Sequence, residues 1–450
     1  VYANNCSFYS YMKIHILGIS GTFMSGIAIL AKQKGFEVSG SDLRCYDPIK
    51  SVLEKQGIPV NIGYRIKDIK NKDLIIIGNV MSRGNSVIEY ILNNNINYTS
   101  GPKWLNENIL INKKVIAISG THGKTTTTSM VVHIMKKNKL NPSYLIGGDP
   151  IGNMKTVALT NSKYFVIEAD EYDTAFFDKR SKFMHYKPHL LMINNIEYDH
   201  ADIFNNIDDI IKSFHHLVRI IPSNGCVLIN KNDVNIKKLL KFGCWSNIIT
   251  IDSKRNSGDF NLIQNDKYQL MHNNKKYSLS DNLIGKHNYT NAISSFAICK
   301  QLNIPLKKQI ESLKSFKGVK KRSEYIGKIR GMKLYDDFAH HPTAIKASIS
   351  AIKDKFSNEK LLTIFIPNSN SMALGSHNAN LMSSLSKSNR TLIITKSSKL
   401  QALVKNNIKI NVIESKSQIS DYLNRNKTFD NVLILSNKNT EDVIGYIKNE

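Results

Sequence analysis

At 450 residues the chain is long enough for two to four domains, and its 41% hydrophobic content can fill their cores. The formal net charge of +26 is spread along Lys- and Asn-rich stretches such as ILNNNINYT and NKNDVNIKKLLK, with no aromatic-studded basic stripe, which argues against nucleic acid as a primary partner. No apolar run reaches membrane-spanning length, and Cys6, Cys45, Cys226, Cys244 and Cys299 form neither a C-x-x-C pair nor a disulfide framework, so a cytoplasmic protein with no membrane partner is expected.

Residues 1–11 (VYANNCSFYSY) lack the basic start and apolar block of a signal peptide and are expected to be an extension outside the fold. From Met12 the pattern is strand KIHILGIS, then helix GTFMSGIAILAKQKG closed by Gly35. Strand EVSGSD, a helix around IKSVLEKQG and the buried strand DLIIIGN follow, which makes the βαβαβ of an open parallel sheet. A second unit opens at KKVIAISGTHGKTTTT and adds strands YFVIEAD, HLLMINNIEYDH and GCVLIN, with a hairpin predicted at Asn273-Asn274. A third, from about residue 326, carries MKLYDDFAHH, KLLTIFIPN, RTLIITKSS and NVLILSNKN. The expectation is three α/β domains, over 12–112, 113–325 and 326–450.

The stretch SGTHGKTTTT looks like a phosphate cradle with unusual spacing. The common P-loop G-x-x-x-x-G-K-[ST] would need glycine where Ile118 stands, and the nearer glycine here is Gly120. The job can still be done. A strand ends, Gly120 and Gly123 let backbone N–H groups turn inward, and a helix N-terminus faces the anion. Lys124 then supplies a point charge for phosphate oxygens, and the Thr125 hydroxyl is placed for Mg²⁺. The loop GISGTFMSG is weaker, because its glycines do not follow G-x-G-x-x-G, but Asp42 ends the next strand, where an acid meets a ribose.

Carboxylates gather at strand ends. IEADEYD places Glu168, Asp170, Glu171 and Asp173 there, and Glu171 is the choice for Mg²⁺. NNIEYDHADIF adds Asp199, His200 and Asp202, with His200 suited to a metal or phosphate. GKHNYTNA opens a helix with Asn288 and Asn291, whose amides suit a nucleotide. KKRSEY offers Arg322 to a transferred phosphate. YDDFAHHPTAI supplies Asp336, Asp337, His340 and His341, and the adjacent histidines, with no third ligand nearby, read against a zinc site.

These segments occur in the order seen in the Mur ligases, which the chain resembles from Met12 to about residue 350 and more loosely beyond; G-T-[HN]-G-K-T is that family's own P-loop variant. DDFAHHPT resembles the branch that acts on UDP-N-acetylmuramate, and FFDKRSKF with DHADIF is similar to its peptide-recycling members. The resemblance implies a three-domain architecture: a Rossmann-like N-terminal domain, a central P-loop ATPase domain and a Rossmann-like C-terminal domain. It implies ATP and Mg²⁺, UDP-N-acetylmuramate, and the murein tripeptide L-Ala-γ-D-Glu-meso-diaminopimelate, joined through an acyl phosphate by a monomer or weak dimer. By the same resemblance, Gly120, Thr121, His122, Gly123, Lys124, Thr125, Thr126, Asn288 and Asn291 hold ATP, and Thr125, Glu171 and His200 hold metal. Lys124, Glu171, His200, Arg322 and Asp337 form the catalytic set. Gly18, Ser20, Gly21, Thr22 and Asp42 take the UDP-sugar, and His340 and His341 the peptide. Where some family members carry a carbamylated lysine, spacing places His215. Ile366, Asn368, Lys438 and Asn439 depart from the recycling pattern where the peptide should bind. The alternatives are the L-alanine-adding member of the branch and a UDP-sugar-binding relative with impaired ligation.

Overall fold

The computed structural model describes residues 12–367, 378–404, 407–426 and 428–448. Among the described residues three large sheets follow one another along the chain, with a two-stranded antiparallel ribbon of Asp173–Ala175 and Asp178–Ser181 beside them. The first has five parallel strands in the spatial order Val60–Ile62, Glu37–Asp42, Lys13–Leu17, Leu74–Ile77 and Tyr98–Ser100. The chain therefore runs outward on both sides of Lys13–Leu17, and the loop after this strand sits at the point where strand order reverses, which is where open sheets bind ligands. The helix Thr22–Lys34 ends as its sequence predicts: Gly35 adopts φ +104° and its N–H closes on the last turn.

The central sheet has ten strands. At its middle Lys114–Ser119 pairs in parallel with Leu190–Ile193 on one side and Tyr164–Glu168 on the other. The predicted hairpin is present, joining Tyr268–His272 to Lys275–Ser278 through Asn273 (φ 48°) and Asn274 (φ 58°), residues that accept the left-handed turn. On one face the helices Lys124–Lys137 and Lys286–Gln301 pack Met130, Ile134, Ile293 and Phe296 against Ile116, Ile118 and Val166. On the other face, the helix Ile207–Arg219 and the first domain's Thr22–Lys34 share one apolar core, with Ile27, Leu30, Leu145 and Phe214 all buried. The approach is close: a Cβ on Gly26 would lie 2.9 Å from Leu145 Cδ1. Each such aliphatic side chain contributes about 1.5–3 kcal/mol by leaving water, so this seam fixes the first domain firmly against the second.

The third sheet has six strands, with Glu324–Ile329 antiparallel to Met332–Asp337 and the remaining pairings parallel. No helix among the described residues is long and apolar enough to cross a membrane.

One buried group makes the first domain sensitive to acid. His15 is fully buried, with its ring nitrogens 2.9 Å from Ser39 Oγ and 2.5 Å from Ser41 Oγ. Burial, aided by Lys72, pulls it from 6.5 to about 4. The folded ring stays neutral while the unfolded chain takes up a proton below about 6.5. Its contribution to stability is therefore complete above that pH and is lost between about 6.5 and 4, at about 1.4 kcal/mol per pH unit. The melting temperature should fall more steeply from pH 7 to 5 in the wild type than in His15→Gln. Parallel slopes would remove His15 as the cause.

Candidate active site

The phosphate-type loop leaves the central strand Lys114–Ser119 and enters the helix Lys124–Lys137. Its shape is held from the neighbouring strand end. Asn195 Oδ1 accepts the His122 N–H at 2.8 Å, and the Asn195 carbonyl accepts the Thr121 N–H at 3.1 Å. The Asn194 amide donates to the His122 carbonyl at 3.2 Å and to Thr127 Oγ1 at 3.3 Å. The Lys124 ammonium turns back into the loop, donating to the Gly120 carbonyl at 2.8 Å and to Glu171 Oε2 at 3.3 Å, with Asp170 Oδ1 at 3.5 Å. Burial alone would lower its pKa, but Glu171, Asp170 and Glu168 more than offset this and raise it. Glu171 is 2% exposed, and burial alone would raise its pKa; Lys124 and His200 instead hold it at about 2. His200 Nε2 lies 3.4 Å from Glu171 Oε1, and that carboxylate keeps His200 above its usual value despite burial.

Thr125 and Arg322 meet beside this cluster. Thr125 Oγ1 donates to Glu168 Oε1 at 2.8 Å, while Glu168 Oε2 accepts the Gly147 N–H at 2.8 Å. Burial and Asp170 push Glu168 up, so two carboxylates of one strand end are driven in opposite directions. Arg322 reaches Thr125 Oγ1 at 3.4 Å and stacks its guanidinium 4.8 Å from the Phe338 ring centre. Asp337 fixes the Arg322 segment, accepting the Ser323 N–H at 2.7 Å and hydroxyl at 3.0 Å on one oxygen and the Ala339 N–H at 2.8 Å on the other.

Asn291 lies against the loop, so that a Cβ on Gly123 would come within 2.5 Å of Asn291 Oδ1; its amide bonds Asn288 Oδ1 at 3.2 Å. Asn288 in turn donates to the Ile284 carbonyl at 2.9 Å. His341 caps the helix Pro342–Lys355. Its ring centre is 4.9 Å from that of His122, and Glu197 Oε2 lies 3.6 Å from both His122 Nε2 and His341 Nδ1. The Thr343 hydroxyl donates to the same oxygen at 2.6 Å. The donor atoms of His122, Glu197 and His341 all lie within 4.8 Å of one another, so folding gives His341 the neighbours that the linear sequence withheld. His340 is not one of this group; its Nδ1 lies 3.0 Å from the Phe338 carbonyl.

In the first domain, Asp42 accepts the Ser20 N–H at 2.9 Å, which ties the loop after Lys13–Leu17 to the end of Glu37–Asp42, and Gly21 and Thr22 are exposed at the start of the helix. His215 does not join the acidic cluster: it packs on Phe242 (5.4 Å) and Trp245 (6.2 Å), and among the described residues it forms no hydrogen bond or ion pair with Glu171 or His200. Lys438, whose carbonyl accepts from Lys321, and Asn439, which caps toward the Glu441 N–H at 2.9 Å, lie in one loop; Ile366 is buried, and Asn368 falls outside the described residues. Sequence reasoning missed Asn194, Asn195 and Glu197 and passed over Glu168. The signal was available, since NNIE directly follows an apolar strand that neighbours the P-loop strand.

Family comparisons agree along the chain: the Mur ligase family catalytic domain matches residues 13–111, the Mur ligase middle domain 118–299, and the Mur ligase glutamate ligase domain 321–438. The chain is 42% identical over 387 residues to the UDP-N-acetylmuramate–L-alanyl-γ-D-glutamyl-meso-2,6-diaminoheptandioate ligase of Haemophilus influenzae, covering 85% of each. It is 34% identical over 368 residues to the UDP-N-acetylmuramate–L-alanine ligase of Clostridium acetobutylicum, covering 80% of this chain and 78% of that one. A solved murein peptide ligase from Psychrobacter arcticus superposes with TM-score 0.76 and 34% identity, covering 98% of this chain and 99% of the other.

Proposed function

The chain belongs to the Mur ligase family, and from that premise we propose that it joins the lactyl carboxylate of UDP-N-acetylmuramate to the amine of L-Ala-γ-D-Glu-meso-diaminopimelate, at the expense of ATP, in peptidoglycan recycling. The observation that carries this reading is the Lys124–Glu171–His200 cluster at the mouth of the phosphate-type loop. The preference for tripeptide over L-alanine rests on 42% identity to a tripeptide ligase against 34% to an alanine ligase.

In this reading residues 12–112 hold the UDP-sugar through Gly18, Ser20, Gly21, Thr22 and Asp42, residues 113–325 hold ATP, and residues 326–450 present the peptide, with His340 and His341 on that side. A carboxylate oxygen attacks the γ-phosphorus and the bond to ADP breaks. The peptide amine then attacks the acyl carbon, its proton is released, and phosphate leaves. No protein group becomes covalently attached, so the residues act by position and charge. The N–H groups from Gly123 to Thr126 and the Lys124 ammonium donate to phosphate oxygens, while those of Thr121 and His122 are held by Asn195 and shape the loop. Asn288 and Asn291 brace the nucleotide side, and Arg322, held by Asp337, meets the transferred phosphate. The donor set fits Mg²⁺, because Glu171 is kept ionised inside the protein with His200 Nε2 3.4 Å from it, and the Thr125 hydroxyl stands on the neighbouring carboxylate, Glu168. Bound there with ATP, Mg²⁺ would neutralise phosphate charge. ATP and nucleotide-activated sugar as substrates suit a cytoplasmic setting.

The test is phosphate release with ATP, Mg²⁺ and UDP-N-acetylmuramate, adding either tripeptide or L-alanine and identifying the product by mass. Release that requires tripeptide is the expected result. Release only with L-alanine would reassign the amine substrate, and UDP-sugar binding without release would mean that ligation has been lost.

A further inference from the structure

Lys182 carries a charge that the fold leaves unanswered. It follows the strand Asp178–Ser181, and its backbone N–H is tied to the Tyr172 carbonyl at 2.8 Å. Its ammonium lies 5.7 Å from the ring centre of Phe23 and 5.6 Å from that of Tyr172. Among the described residues it forms no ion pair, and its ammonium donates no hydrogen bond. Burial pulls Lys182 below the usual ammonium value, and the fields of Asp170, Asp173 and Glu171 only partly resist this. A half-buried cation that has shed water without gaining a carboxylate is costly to keep, and such groups mark sites that await an anion.

Its two aromatic neighbours say which anion. Phe23 is in the first turn of the helix that follows the loop Gly18–Gly21, where the sugar nucleotide's diphosphate would sit. Tyr172 directly follows Glu171, which pairs with Lys124. Lys182 thus stands between the diphosphate end and the phosphoryl-transfer end, close enough to Lys124 for the two cations to feel each other. Outside its diphosphate, the sugar nucleotide has one anionic group, the lactyl carboxylate, and that group must cross this interval.

We propose that Lys182 binds the lactyl carboxylate of the sugar nucleotide and holds it toward the γ-phosphate. This rests on the ligase reading above. Lys182 exchanges no proton: a carboxylate oxygen forms the bond to phosphorus, the bond to ADP breaks, and the ammonium offsets the repulsion of two anions brought together.

The experiment compares calorimetric binding of UDP-N-acetylmuramate and UDP-N-acetylglucosamine, which lacks the lactyl group, to wild type, Lys182→Gln and Lys182→Arg, without ATP or peptide. Wild type should favour the muramate by about 10- to 100-fold. Lys182→Gln should bind the two nearly equally, with its affinity for the glucosamine nucleotide within about twofold of wild type, and Lys182→Arg should recover part of the preference. A Lys182→Gln protein that keeps the full preference, or that loses both nucleotides to the same degree, would overturn the proposal and leave Lys182 a packing residue. A wild type with no affinity for the muramate nucleotide would instead sink the ligase reading, and this proposal with it.

Discussion

Lys124→Met is expected to lower ATP-dependent ligation by about 10³-fold or more while leaving UDP-N-acetylmuramate binding within a few-fold of wild type. Methionine keeps the length and apolar stem of the side chain and removes only its charge and donors. The loss has two parts. The first is the point charge for phosphate oxygens at the helix N-terminus. The second is internal: Glu171, Asp170 and Glu168 converge on the Lys124 ammonium, and without it Glu171 loses the largest influence holding it ionised. Glu171 is then pushed toward protonation, which would weaken it in the metal-binding role proposed above. Turnover and nucleotide binding should be measured separately. Turnover within tenfold of wild type would show that the loop does not hold the reacting phosphate.

The candidate site draws on parts far apart in sequence. Thr125 from the loop, Glu168 from the next strand and Arg322 from near residue 325 meet at one hydroxyl. Glu197 touches His122 of the loop and both His341 and Thr343 of the third unit. Buried at this seam, its carboxylate would rise, but His122, Thr343 and His341 hold it at about 2. The phosphate-type loop is therefore mechanically joined to the third unit.

This explains what could be read directly from the sequence. Strand, glycine turn and helix are local events, so the loop at Gly120–Thr125 and the carboxylates of IEADEYD could be placed at strand ends from their own neighbourhoods. The Asn273-Asn274 hairpin was legible for the same reason, because its turn needs only two residues that tolerate positive φ. Glu197 was not legible, because its partners come from the loop before it and the unit after it, and no short pattern encodes that meeting. Choosing Glu171 over Glu168 for the metal could not be justified locally either. Both end the same strand region, and they differ only because one faces Lys124 and His200 while the other faces Thr125 and the Gly147 N–H. Lys182 was visible only as part of a resembling segment; that it meets two rings and, among the described residues, no carboxylate is a fact of packing.

Gly120→Ala is the second change expected to have a large effect, and it separates two roles that glycine plays here. Gly120 has φ +118°, a conformation costly for alanine, and a Cβ would lie 2.7 Å from the Asn195 carbonyl oxygen, 2.9 Å from Asn195 N and 3.0 Å from Asn194 N. All three are backbone atoms of the adjoining chain, and none can swing aside. Strain and overpacking together should cost about 2–4 kcal/mol. Gly35 supplies the control. It also has positive φ, at +104°, but nothing lies within 4 Å of the added carbon, so Gly35→Ala should cost only about 1 kcal/mol, from backbone strain. The two variants should also differ in activity. The Gly120 carbonyl accepts from the Lys124 ammonium, so any shift of that peptide moves the charge proposed to bind phosphate, and turnover should fall by about 100-fold. Gly35→Ala should ligate at close to the wild-type rate. Denaturant midpoints and phosphate release measured on both proteins test the argument. Equal destabilisation would mean that the crowding against Asn194 and Asn195 is relieved at little cost. Normal turnover in Gly120→Ala would mean that Lys124 does not depend on that carbonyl for its position.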